Sequence, residues 1–207
     1  MVRHGYSVCN ERKRFTGNIN SPLNDMGKQQ AELAADYLEH FEIDSIYSSD
    51  LCRAYDTAFA IAKRHSLKVI SDINLREINA GKWEDRTFDY ISSTYPIQYE
   101  LWRNDINKCC PEGGEAVKDF YVRIKNAVYK IIEQNQGKTI CIVTHATPIR
   151  VMKCEALKEY LCGMNNVAWC PNASINIFEY ENGVITLKED GITDFLHNCI
   201  TELPSNI

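Results

Sequence analysis

The stretch KTICIVTH, residues 138–145, decides how this chain is read. From Thr139 to Thr144 every residue is β-branched or apolar, and no polar face alternates with the apolar one. A strand of that kind is covered on both faces, which calls for helices on either side and for parallel neighbours. The run ends on a histidine, His145, followed by Ala-Thr-Pro. Ligands of open parallel sheets bind beyond the carboxyl ends of the strands, so His145 stands where chemistry is expected.

Working outward, DSIYSSD (44–50) and KVISD (68–72) read as shorter strands, and MVRH at the chain start as a very short first one. SINIFEY (174–180) and GVITLKE (183–189) flank Glu181-Asn182-Gly183, a hairpin signal. Helical spacing lies between the strands. Ala31, Ala34, Ala35, Leu38 and Phe41 mark one helix over 26–41. Leu51, Ala54, Ala58, Ile61 and Ala62 mark a second over 51–62. Val117, Phe120, Tyr121, Ile124, Val128 and Ile131 mark a third over 115–133. The expected class is α/β: one three-layer α/β/α domain over 1–207 with a mostly parallel central sheet and a C-terminal hairpin. Residues 82–112, rich in Trp and Tyr and followed by Glu112-Gly113-Gly114, read as an inserted, partly helical lid over the site.

The 207 residues suffice for a substantial core without staples. Nine cysteines form no Cys-x-x-Cys pair, so they read as free thiols of a reducing compartment rather than as metal ligands or a disulfide frame. The net charge of −5 argues against a nucleic-acid partner. No signal peptide or long apolar run is visible, so a cytoplasmic chain with no membrane partner is expected.

His4 ends the first strand as His145 ends the strongest one. Arg3 adjoins His4, and Arg53 follows Ser48-Ser49-Asp50, which reads as an N-cap cluster placing Arg53 in a first helical turn. Two arginines and two histidines at strand ends make a cationic pocket in an acidic protein. Guanidinium forks match phosphate oxygens, one neutral imidazole can attack phosphorus, and the other can stabilise the transferring group. Glu77, in Leu-Arg-Glu (75–77), is the candidate proton donor, because a bound phosphate dianion opposes its ionisation. His40, His65 and His197 read as surface or structural. The chain carries no Cys-x5-Arg, no nucleotide P-loop, no Gly-x-Ser-x-Gly elbow and no carboxylate cluster for paired metal ions. The expectation is phosphate chemistry with no metal and no cofactor.

At these residues the chain resembles the histidine phosphatase superfamily, the phosphoglycerate-mutase-like group. Val-Arg-His-Gly (2–5), Arg-Phe-Thr-Gly (14–17), Ser-Pro-Leu-Asn-Asp-Met-Gly-Lys-Gln-Gln-Ala (21–31), Ser-Ser-Asp-Leu-Cys-Arg-Ala-Tyr-Asp-Thr-Ala (48–58), Leu-Arg-Glu (75–77), Pro-Glu-Gly-Gly-Glu (111–115) and Val-Thr-His (143–145) occur in the family's order. The resemblance implies that His4 becomes phosphohistidine, that Arg3, Arg53 and His145 hold the phosphoryl group, and that Glu77 donates the proton. It places Asn10, Thr16 and Gly17 along the pocket, joined by Ala146, whose N–H helps, and Thr147. Gly5 is expected to permit close backbone approach.

Two departures stand out. The family usually has glycine where Ala146 stands, which narrows the pocket. It also has several residues before the arginine, so the clipped first strand should weaken the sheet at His4 unless a neighbour compensates or the chain begins upstream. The run Glu77-Ile-Asn-Ala-Gly-Lys-Trp-Glu84 is closer to the phosphatase branch, including alpha-ribazole and broad-specificity phosphatases, than to mutases. Trp83 either packs beside the site or fills core. The implied activity is hydrolysis of a small phosphorylated metabolite. The alternatives are a phosphoglycerate mutase and a non-catalytic phospho-ligand-binding protein. A homodimer is left open. Glu11-Arg-Lys-Arg14 and the aromatic stretch 83–102 should shape specificity, with Lys13 read as plain solvated surface.

Overall fold

The computed structural model describes residues 1–202. In chain order the elements are β1 (Val2–Arg3), α1 (Val8–Glu11), α2 (Asp25–Leu38), β2 (Ser45–Ser48), α3 (Cys52–His65) and β3 (Val69–Ser71). They continue as α4 (Phe88–Thr94), α5 (Pro96–Asn104), α6 (Val117–Gln134), β4 (Ile140–Thr144), α7 (Ala146–Leu157), β5 (Ile175–Glu181) and β6 (Val184–Ile192). The six strands form one sheet in the order β3-β2-β4-β1-β5-β6. The first four are mutually parallel, and β5 and β6 add an antiparallel edge.

The central strand β4 explains the layers. Cys141 and Val143 face a core built with α2 and α3, and Ile142 faces a second core built with α6 and α7. Period-two side chains on a strand covered twice give the unbroken apolar run. The hairpin closes through Asn182 and Gly183 at φ +51° and +81°, both in the left-handed region that a type I′ turn demands.

The first strand is only two residues long yet does not weaken the sheet at His4, correcting that expectation. It lies between two neighbours: His4 N–H donates to Thr144 O at 2.9 Å, Arg3 N–H to Ser174 O at 3.1 Å, and Asn176 N–H to Met1 O at 2.8 Å. The helix α7 has no counterpart among the sequence expectations. All nine residues from Ala146 to Cys154 are buried, so no amphipathic stripe marks it. The segment 82–112 holds α4 and α5, whose Phe88, Ile91, Tyr99 and Trp102 join the α6/α7 core.

Candidate active site

All four parallel strands end on one rim. His4 follows β1, Ser49 follows β2, the loop to Glu77 follows β3, and His145 follows β4. A cavity of about 420 Å³ opens there, lined among others by Arg3, His4, Asn10, Thr16, Gly17, Arg53, Glu77, Ala146 and Thr147. A larger cavity of about 530 Å³ at the opposite end of the sheet is lined by residues such as Phe41, Ile140 and Phe178, and no histidine or arginine reaches it.

His4 is buried and fixed in one tautomer. Its Nδ1 lies 2.7 Å from Gly5 O, which can only accept, so Nδ1 carries the proton. Nε2 keeps its lone pair and receives Arg53 Nε–H at 3.3 Å. Burial, reinforced by the Arg53 and Arg3 charges, holds His4 well below the ordinary imidazole range. A neutral ring with an unprotonated Nε2 is the state a nucleophile needs.

Arg53 shows no exposed surface. Its Nη1 donates to Ile19 O at 2.7 Å and Nη2 to Gly17 O at 2.8 Å, so the guanidinium also organises the 14–20 loop. Burial lowers it to about 10, which leaves it charged near neutrality. Arg3 Nη1 donates to Cys170 O, while its Nε is buried without a partner. His145 lies behind His4, ring centroids 5.1 Å apart, rather than on the cavity surface. Its Nε2 is 2.9 Å from Ser49 Oγ, and its Nδ1 is buried without a partner. Burial, then the Arg53 charge, pushes this ring down as well.

Glu77 is also buried. One carboxylate oxygen accepts Ile78 N–H at 2.8 Å and the other Thr147 N–H at 3.2 Å, in the first turn of α7. Asn10 Oδ1 accepts Ser7 N–H and Asn172 Nδ2–H at 3.1 and 3.3 Å. Gly17 adopts φ +51°, and a Cβ there would lie 2.3 Å from Glu84 Oε1. Among the described residues no group of three or more His, Cys, Asp or Glu could hold a metal ion.

Three readings of individual residues change. Ser48-Ser49-Asp50 is not the helix cap: Leu51 is the N-cap residue of α3, Ser49 faces His145, and Asp50 accepts a two-point ion pair from Arg76. Gly5 does permit a close approach, but to α2, because a Cβ on it would lie 2.4 Å from Gly27 O. Lys13, though exposed, lines the cavity wall with Arg14. Trp83 is fully buried and packs edge-on behind the cavity residue Phe15 at 5.8 Å, so it fills core. His40 and His197 are exposed and His65 is half-buried, all three away from the cavity.

Asn172 and Trp169 were missed by sequence reasoning, while Ser49 and Thr57 stood in the 48–58 motif without a role at the site. Thr57 Oγ1 accepts Gly5 N–H at 3.0 Å and Asn172 Nδ2 donates to His4 O at 3.1 Å, so both hold the His4 turn. Neither role carries a local signal, because each acts through a partner more than 50 residues away in the chain.

The model of the histidine phosphatase superfamily (branch 1) matches residues 1–193. The chain belongs to that superfamily. Phosphoserine phosphatase 1 of Hydrogenobacter thermophilus is 32% identical over 181 residues, 87% of this chain and 85% of that one. The solved structure of Bacillus stearothermophilus YhfR superposes with a TM-score of 0.88 at 29% identity, covering 94% of this chain and 96% of that one. The alpha-ribazole phosphatase of Shigella flexneri shares the fold, with a TM-score of 0.81 at 23% identity over 90% and 92% of the two chains. Membership of this superfamily, together with relatives named as phosphatases, makes the chain a phosphatase-type enzyme.

Proposed function

We propose that this chain hydrolyses small phosphomonoesters through a phosphohistidine on His4. The observation that carries the reading is the locked ring: Nδ1 bound to Gly5 O, and Nε2 unprotonated, accepting only a long 3.3 Å hydrogen bond from Arg53 on the cavity wall. Nε2 attacks phosphorus, the P–O bond to the alcohol breaks, and Glu77 gives its proton to the departing oxygen. Glu77, now a carboxylate, takes a proton from water, which attacks phosphorus and breaks the N–P bond to release inorganic phosphate. Arg3 and Arg53 neutralise the equatorial oxygens. Ser49 Oγ accepts Leu51 N–H at 3.3 Å and shares a hydrogen bond with His145 Nε2 at 2.9 Å, which fixes the ring's position. His145, edge-on behind His4 with ring centroids 5.1 Å apart, backs the attacking ring from inside the protein.

Acid quenching with substrate labelled on phosphorus should trap one label per chain in the wild type and none in His4→Ala. Hydrolysis that continues with no trapped label would overturn the covalent route.

The cavity of about 420 Å³, walled by Phe88, Trp102 and Trp169 and flanked by Lys13, suits a small phosphorylated metabolite. No helix among the described residues is long and apolar enough to cross a membrane. A reducing cytosol is proposed from the nine cysteines, none of which is in a disulfide. A second copy of the chain is the proposed protein partner, on the β3 edge. There β3 pairs with β2 alone among the described strands, and Ile70, Ile73 and Phe59 are 47%, 59% and 47% exposed.

A further inference from the structure

The segment carrying Glu77 leaves the sheet after β3 and crosses the site without a strand partner, so its carbonyl groups need other donors. Two side chains supply them. Arg123, from α6, donates Nη1 to Asn74 O at 2.9 Å and Arg76 O at 3.2 Å, and Nη2 more weakly to Glu77 O at 3.4 Å. Thr144, the last residue of β4, donates Oγ1–H to Leu75 O at 2.7 Å. Four consecutive carbonyls, 74 to 77, are thus gripped from two elements.

Arg123 is held in its turn. Glu115 accepts its Nε–H at 2.9 Å and its Nη2–H at 2.7 Å, a two-point carboxylate pair that fixes the guanidinium plane. The Glu115 backbone is locked to the far side of the same loop, its N–H donating to Asn79 O at 2.8 Å. Gly114 beside it packs against the same loop, since a Cβ there would lie 2.5 Å from Asn79 O. The run Pro111–Glu115 therefore braces the Glu77 loop while reaching no substrate itself.

We propose that Arg123, with Glu115 and Thr144, forms a clamp that positions the Glu77 carboxyl for proton donation to the leaving oxygen. These are positioning residues, since none of the three lines the cavity. The inference rests on the reading of Glu77 as general acid, and its signature is leaving-group dependence. An alkyl phosphate needs its departing oxygen protonated, whereas p-nitrophenolate departs unaided, so a misplaced acid harms the first reaction more than the second.

The test compares kcat/KM for glycerol phosphate and p-nitrophenyl phosphate in the full chain for Glu77→Gln, Arg123→Met, the double variant and Thr144→Val. Arg123→Met should lower the alkyl reaction at least about tenfold more than the aryl one, a fraction of what a general acid supplies. The double variant should show no further selectivity loss beyond Glu77→Gln, because both act through one group. Thr144→Val, which keeps the side-chain volume, should shift the ratio in the same direction and serves where Arg123→Met does not fold. Equal losses on both substrates, no loss, or additive effects in the double variant overturn the clamp. If Glu77→Gln itself leaves the ratio unchanged, the role of Glu77 fails instead, and the two failures are thereby told apart.

Discussion

At the scale of single residues, the site is a study in charge kept out of water. Two imidazoles and two guanidiniums are buried within one small volume, and burial first, then the arginine charges, keep the histidines neutral. This has a stability consequence. In the unfolded chain each ring protonates near its ordinary value of 6.5, while in the folded protein it resists protonation until well below that. Below 6.5 the unfolded state therefore binds more protons, so stability falls as pH drops and is level above that value. The slope from each ring approaches about 1.4 kcal/mol per pH unit. Urea midpoints measured from pH 7.5 down to 5.5 should fall steadily in the wild type, and less steeply in His145→Asn. A wild-type midpoint independent of pH over that range would show that the rings are not held neutral. The individual residues Arg3, His4, Arg53, Glu77 and His145 were legible in sequence because each sits in a short local motif. The roles of Ser49 and Asn172 were not, because they exist only in the partner each meets.

At the scale of elements, the His4 turn is seated against α2 by close backbone contact. Gly5 and Gly27 face each other where the β1–α1 turn crosses α2, and a Cβ on Gly27 would lie 2.0 Å from Tyr6 O. Backbone cannot swing aside as a flexible side chain can, so Gly27→Ala must push the turn off the helix. We expect a loss of about 1–3 kcal/mol in urea unfolding, the ordinary range for overpacking. We also expect a fall in kcat, because residues 4 to 6 move with the turn. A variant with wild-type stability and turnover would show that the turn tolerates separation from α2. Element boundaries followed the sequence where burial was one-sided. The helix α6 was expected at 115–133 and spans Val117–Gln134. The helix α7 was invisible because its charges are buried too: Arg150 donates to Val167 O at 3.0 Å, and Lys153 pairs with Asp190. A helix whose polar groups are satisfied inside the protein presents no solvent face to betray its period.

At the scale of the whole molecule, the sheet divides the labour. Its carboxyl rim carries the cavity lined by Arg3, His4, Arg53 and Glu77, its antiparallel edge at β5 and β6 pins the short first strand, and its other edge at β3 pairs only with β2 among the described strands. Sedimentation should find a dimer in the wild type and a monomer in Ile70→Lys, a charge placed on an exposed edge residue remote from the cavity. A wild-type monomer at all concentrations would remove the second copy as partner. The sequence by itself determined the α/β class, because a strand covered twice must be apolar throughout and a hairpin turn must carry residues tolerant of positive φ. It also picked out Arg3, His4, Arg53, Glu77 and His145 as a group that meets at one end of the sheet, because motifs keep residue type and spacing together. Only the tertiary structure decided which tautomer His4 adopts, that His145 stands behind it, and that Arg123 and Thr144 converge on the Glu77 loop. Those facts depend on hydrogen bonds between groups far apart along the chain, and no local pattern of residues encodes where such groups meet.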